Sequence, residues 1–169
     1  MDYLKIVLRF IHIGAGVFWV GTAIFNTFFL GPAVAAVGEG GQKVMAQLVT
    51  KAKLSMRVSA AAIATVLAGA WLYWIDSDGL TSTWKNSGPG IGFGIGGLLA
   101  IVGLVFGLMV GRNTYILGKI AAEVQGKPTP EQMSRIEAAR KQLGYAGPIS
   151  TISLMLSLVF MAIARYLVF

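Results

Sequence analysis

The chain contains no cysteine and a single histidine, His12. The first absence excludes disulfides, iron–sulfur clusters, haem thioether links and thiol nucleophiles, so any cofactor must be held without thiolates. Charge is scarce as well: charged residues make up 12% of the 169, hydrophobic residues 56%, and mean hydropathy is +0.72. That is far from the balance of a soluble globular domain. The seven acidic residues fall in connections or at the chain ends, which leaves no carboxylate pair for acid–base chemistry. "GPGIGFGIGG" is not a nucleotide loop, because no strand precedes it and neither a lysine nor an acidic partner follows it.

What is present is long apolar runs. Four of them, at about 3–30, 58–75, 91–111 and 150–169, are long enough to cross roughly 30 Å of hydrocarbon at ~1.5 Å per residue. The expected fold is all-α, a single four-transmembrane-helix bundle with short cytoplasmic surface helices at about 34–56 and 130–143. "PAVAAV" after the first run looks like a signal-peptide cleavage site, but the run is too long for an h-region, so a retained helix is expected. Gly31-Pro32 is read as a break after it. Thr129 as N-cap, Pro130 at N1 and Gln132 in a capping box start the second surface helix, and Gly144 is expected to end it.

Lys43, Lys51, Lys53, Arg57, Arg112, Lys119, Lys127, Arg135, Arg140 and Lys141, ten of the fourteen basic residues, fall on one side of such a bundle. The positive-inside rule makes that side cytoplasmic, with both termini and the 76–90 connection outside a bacterial-type inner membrane. The net charge of +7 is thereby read as topology and contact with the lipid bilayer, not as a nucleic-acid surface. Trp71, Tyr73, Trp74 and Trp84 are expected in an aromatic belt at the outer interface.

Small residues mark where helices approach each other in lipid. Gly103, Gly107 and Gly111 form a tandem GxxxG, and Gly92 and Gly96 offer another. Their spacing suits docking within the bundle and equally a homodimer through Gly-rich faces. On the last run Ser153, Ser157, Met161 and Arg165 follow an i, i+4 stripe expected to face protein.

The stretch "RFIHIGAGVFWVG", residues 9–21, puts Arg9, His12, Gly16 and Trp19 on one helix face. His12 lies ~10 Å below the outer interface if the membrane begins near Lys5. A charged imidazole is costly at that depth, so a neutral ring is expected, with one nitrogen free to ligate a metal. A b-type haem would use His12 as axial ligand, Gly16 for close approach, Trp19 as an aromatic wall, and Arg9 with Arg165 near the propionates. Two other readings stand beside it. His12 is a structural histidine bonded to a backbone carbonyl or a serine, with both arginines snorkelling to water, or it binds another metal or ion.

The same stretch resembles the first helix of the HemJ/CopD-like group of small membrane proteins, in which a histidine is followed seven residues later by a tryptophan, as His12 is by Trp19. "KLSMRVSAAAIATVLAGAWLY", with Arg57 and Gly69, is similar to their second helix. The resemblance covers roughly the first 75 residues. It implies haem binding and protoporphyrinogen oxidation for HemJ-like proteins and copper passage for CopD-like ones. It carries a haem-ligand role to His12 and a wall role to Trp19. It carries no catalytic role, because the third run offers only glycine and apolar residues where that group has basic residues and further histidines.

One histidine leaves the second face of a haem iron to an open position, to Met161, or to His12 of a second copy across a two-fold axis. The expected function is therefore a membrane-embedded haem b protein in electron transfer or haem handling, with a redox partner the sequence does not name. The alternative is a non-redox membrane protein, either a copper-related permease or a structural subunit of a larger complex.

Overall fold

A computed structural model describes residues 3–124 and 126–169. Among them there is no strand. The elements are α1 (Tyr3–Phe25), a π-helical turn (Asn26–Leu30), α2 (Gly31–Val37), α3 (Glu39–Thr50), α4 (Leu54–Asp76), a 3-10 turn (Thr83–Asn86), α5 (Gly88–Glu123), α6 (Pro130–Ile163) and a closing 3-10 turn (Ala164–Tyr166). Four helical stretches, Tyr3–Val37, Leu54–Asp76, Gly88–Glu123 and Pro130–Tyr166, are long and apolar enough to cross a membrane.

The distribution of side-chain size suits lipid as the solvent. Buried positions are mostly small or hydroxylated, among them Ala62, Ala68, Ala146, Ala164, Ser150, Thr151 and Ser157, whereas Phe10, Val17, Leu67 and Leu98 are exposed. Lipid tails are as apolar as leucine, so large side chains gain little by turning inward, and close backbone approach decides the packing.

The α5–α6 seam is built this way. Gly103 faces Leu154, Gly96 faces Met161, and Gly92 faces Ala164 and Leu167. Close approach lets Ser157 Oγ donate to the Gly96 carbonyl at 2.7 Å and Ser150 Oγ to that of Gly103 at 2.9 Å. Gly111 meets Ser55 and Ser59 of α4, and Gly107 meets Ser150 and Trp19. The glycines of both GxxxG patterns are thus engaged within the chain.

Both chain ends and the connection after α4 gather at one end of the bundle. Lys5 Nζ lies 3.0 Å from Asp76 Oδ1, Tyr73 Oη donates to the Gly90 carbonyl at 3.1 Å, and Gly88 N–H donates to the Phe169 carbonyl at 3.3 Å. Trp71 and Trp74 are exposed near this end, whereas Tyr73 packs edge-on to Trp84, which stacks on Phe93. The ten basic residues from Lys43 to Lys141 other than Lys85 belong to the opposite, basic end.

Several expected boundaries are corrected. Gly31-Pro32 does not end the helix: the ladder widens to a π turn at Asn26–Leu30, where Gly31 N–H donates to the Asn26 carbonyl, and α1 continues into α2 through Pro32, which forgoes one ladder bond. The expected surface helix at 34–56 is instead α2 and α3, parted at Gly38 with φ +66°, and α4 already begins at Leu54. Thr129, Pro130 and Gln132 form the expected capping box, but the helix they start does not end at Gly144. It runs through Gly144, Gly147 and Pro148 as one 34-residue α6, and α5 is likewise 36 residues long. At ~1.5 Å per residue each is over 50 Å long, so both outreach a bilayer's hydrocarbon. Asn113, buried on α5, ties this extension together by donating to Gln142 Oε1 at 2.9 Å.

Candidate functional site

α1 and α4 pack along their lengths, and the His12 face of α1 is the seam. The His12 ring lies against Gly69, and Gly16, one turn further along, lies against Thr65. His12 Nδ1 is 2.8 Å from the Thr65 carbonyl oxygen. A carbonyl only accepts, so Nδ1 carries the proton and donates. A neutral imidazole then keeps its lone pair on Nε2. That carbonyl is one helical turn before Gly69. The hydroxyl of the same threonine is turned away, donating to the Ala61 carbonyl at 2.8 Å.

The remaining residues read from the sequence divide by position. Trp19 is 3% exposed and sits in the core with Ala62 and Leu154, with Val58 and Leu104 packed around them. Met161 is half-buried, its thioether turned toward Gly96 of α5. Arg9 and Arg165 are exposed, and neither guanidinium has a hydrogen bond or ion pair among the described residues. Ser153, Ser157 and Met161 face protein as the stripe on the last run requires. Arg165 leaves that stripe because the helix tightens into a 3-10 turn at Ala164–Tyr166, which rotates the later positions outward. The structure therefore brings His12 and Gly16 together with Thr65 and Gly69, and among the described residues the ring's hydrogen bond is to Thr65 and not to Arg9, Met161 or Arg165.

Thr65 and Gly69 are the residues of this site that the reading of "RFIHIGAGVFWVG" left out. Their signal was the small-residue stripe Ala61, Thr65 and Gly69 at i, i+4 spacing on the second apolar run, matched to the face carrying His12 and Gly16. Elsewhere, a cleft of about 450 Å³ opens at the basic end between Val49, Lys53, Met56, Tyr115, Lys119 and Glu123. It lies at the far end of α4 from Gly69 and takes no part in the seam.

Among the described residues no three histidine, cysteine or carboxylate side chains converge as a metal cage would require. The donor at the seam is one imidazole. No protein-family model, curated protein or solved structure matches the chain.

Proposed function

We propose that the protein is a multi-pass protein of a bacterial-type inner membrane that presents His12 as the axial ligand of a b-type haem near the outer face, for electron transfer or haem handling. The observation that carries this reading is the Nδ1–Thr65 bond, which fixes the tautomer, holds the ring, and leaves Nε2 as the only basic nitrogen of the pair. Metal-binding histidines are commonly oriented in this way, the second nitrogen donating to a backbone carbonyl.

The donor set fits a haem better than a bare ion. A haem brings its own equatorial nitrogens and asks the protein for axial ligation, whereas a free metal ion needs several side chains at once. When bound, a haem supplies one-electron chemistry at the iron. His12 would hold it, and the unpaired guanidiniums of Arg9 and Arg165 would be available to its propionates. The ten-to-four split of basic residues supports both termini lying outside.

A second reading is favoured by the fit of the His12 ring against Gly69. Here the histidine is a helix–helix pin in a non-redox subunit, and Nε2 has no ligand. Two experiments separate the readings. The visible spectrum of detergent-purified protein after haem reconstitution should show a Soret band that shifts on dithionite reduction, and a featureless spectrum removes the haem reading. His12→Asn keeps an N–H donor near the position of Nδ1 but offers no imidazole lone pair. A ligand role predicts that this variant inserts, folds and lacks the Soret band.

A further inference from the structure

The cleft of about 450 Å³ at the basic end joins charged and apolar surface in one place. Lys53 and Lys119 bring ammonium groups to it, Glu123 a carboxylate, and Met56 and Tyr115 exposed apolar surface. Lys53 is set there by the backbone: it joins α3 to α4 in the left-handed conformation, φ 52°, which a lysine rarely adopts. Its ammonium has no hydrogen bond or ion pair among the described residues. Lys119 Nζ is 3.9 Å from Glu123 Oε1, and both side chains are more than half exposed, so little is lost when that ammonium turns to another anion. Two ammoniums against one carboxylate leave the cleft with a net positive charge, and its complement is an anion.

Depth narrows the choice of anion. At ~1.5 Å per residue, Met56 is ~30 Å along α4 from Asp76, which pairs with Lys5 at the other end of the bundle. That is about the thickness of a bilayer's hydrocarbon. Tyr115 is ~38 Å along α5 from Gly90, whose carbonyl accepts from Tyr73 at that same other end. With Asp76 and Gly90 at one membrane surface, the cleft stands at the headgroups of the opposite leaflet. Met56 is one turn nearer the hydrocarbon than Lys53, and Tyr115 one turn nearer than Lys119, so each ammonium stands over an apolar side chain. Tyrosine favours this level of a bilayer.

We propose that the cleft binds one anionic glycerophospholipid, with its phosphodiester between Lys53 and Lys119 and its glycerol backbone over Met56 and Tyr115. Basic pockets at this level of a membrane suit such headgroups. One phosphate then bridges the α3–α4 junction to α5. The proposal rests on the multi-pass reading and is independent of any ligand on His12.

The test uses the full-length protein, extracted in mild detergent and titrated with phosphatidylglycerol or with phosphatidylethanolamine of the same acyl chains, bound lipids being counted by native mass spectrometry. The first phosphatidylglycerol should bind more tightly than phosphatidylethanolamine. Lys53→Gln and Lys119→Gln should each weaken that first site about three- to fivefold, the upper part of the range for an exposed ion pair. Lys141→Gln, which removes the same charge from the same end outside the cleft, should leave it unchanged, and Glu123→Gln should tighten it. An equal loss in Lys141→Gln would mean diffuse attraction and overturns the proposal. So does weaker binding in Glu123→Gln, which would put the ammonium of a zwitterionic lipid on that carboxylate. Displacement of the lipid by millimolar inorganic phosphate would make the cleft a site for a soluble anion and overturns it too. Protein that is recovered from the membrane fraction but shows no preference between the two lipids overturns the lipid site alone, whereas protein recovered outside the membrane fraction overturns the multi-pass reading with it.

Discussion

A methyl group on Gly69 would lie 2.7 Å from His12 Cε1 and 2.8 Å from Nδ1, so the smallness of residue 69 is what lets the imidazole reach the Thr65 carbonyl. Gly69→Ala must therefore push the ring or the helix aside. Forcing an extra methyl into a packed contact costs about 1–3 kcal/mol. The expected outcome is a lowered unfolding midpoint in detergent. In His12→Ala/Gly69→Ala the clash has no partner, so the double variant should be less destabilised than the sum of the two single variants. Strict additivity would show that the two residues do not touch.

The α5–α6 seam yields a ranking. Ser157→Ala removes one interhelical hydrogen bond, and such bonds in membrane bundles average about 0.6 kcal/mol with a maximum near 1.7. Gly103→Ala places a Cβ 2.6 Å from Leu154 Cδ2, and Leu154 is 1% exposed, so the leucine has no free volume to move into. Gly103→Ala should be the more damaging of the two, by at least 1 kcal/mol in a steric-trap or denaturant assay. A reversed order would mean that α5 and α6 are held by their polar bonds and not by close approach.

The parts of this architecture written in short-range chemistry were legible beforehand. The apolar runs, the capping box at Thr129–Gln132 and the small residues that bring helices together each follow from residues within one or two turns. Helix ends at the basic end were not, because Gly144, Gly147 and Pro148 ordinarily stop a helix. Here the turns on both sides are pinned through Asn113–Gln142 and through Thr27–Thr151, whose hydroxyls are 2.7 Å apart. At the seam, His12, Gly16 and their common face could be read from α1 alone. The Thr65 carbonyl could not, since a backbone acceptor carries no residue-type signal and its position depends on how α4 is rotated.

Topology is open to direct measurement. Ten basic residues, those from Lys43 to Lys141 other than Lys85, share one end, and Lys5, Arg9, Lys85 and Arg165 belong to the other. Each basic residue near a span resists translocation. A C-terminal alkaline phosphatase fusion should be active and a C-terminal fluorescent reporter that matures only in the cytoplasm should be dark. The opposite pair of results would invert the bundle and place His12 near the cytoplasmic face.

Arg9 and Arg165 distinguish a haem site from a pinned pair of helices. Both are exposed, on separate helices, and unpaired among the described residues. If a haem lies on Nε2, its two propionates would be acidic partners for the guanidiniums. Replacing arginine by glutamine keeps a planar donor but removes the charge. Because both positions are exposed, solvent screens the pair, and each substitution should weaken haem retention by no more than about 1 kcal/mol, roughly fivefold in transfer to apomyoglobin. The reduction potential should also fall. Oxidised iron carries one more positive charge than reduced iron, and a neighbouring guanidinium disfavours it, so taking that cation away stabilises the oxidised form. The double variant Arg9→Gln/Arg165→Gln should then show both effects enlarged, and added salt should diminish them in the parent by screening the same charges. If both single variants keep haem as tightly as the parent and titrate at its potential, the arginines are interfacial anchors, with their stems along the helices and their heads in water.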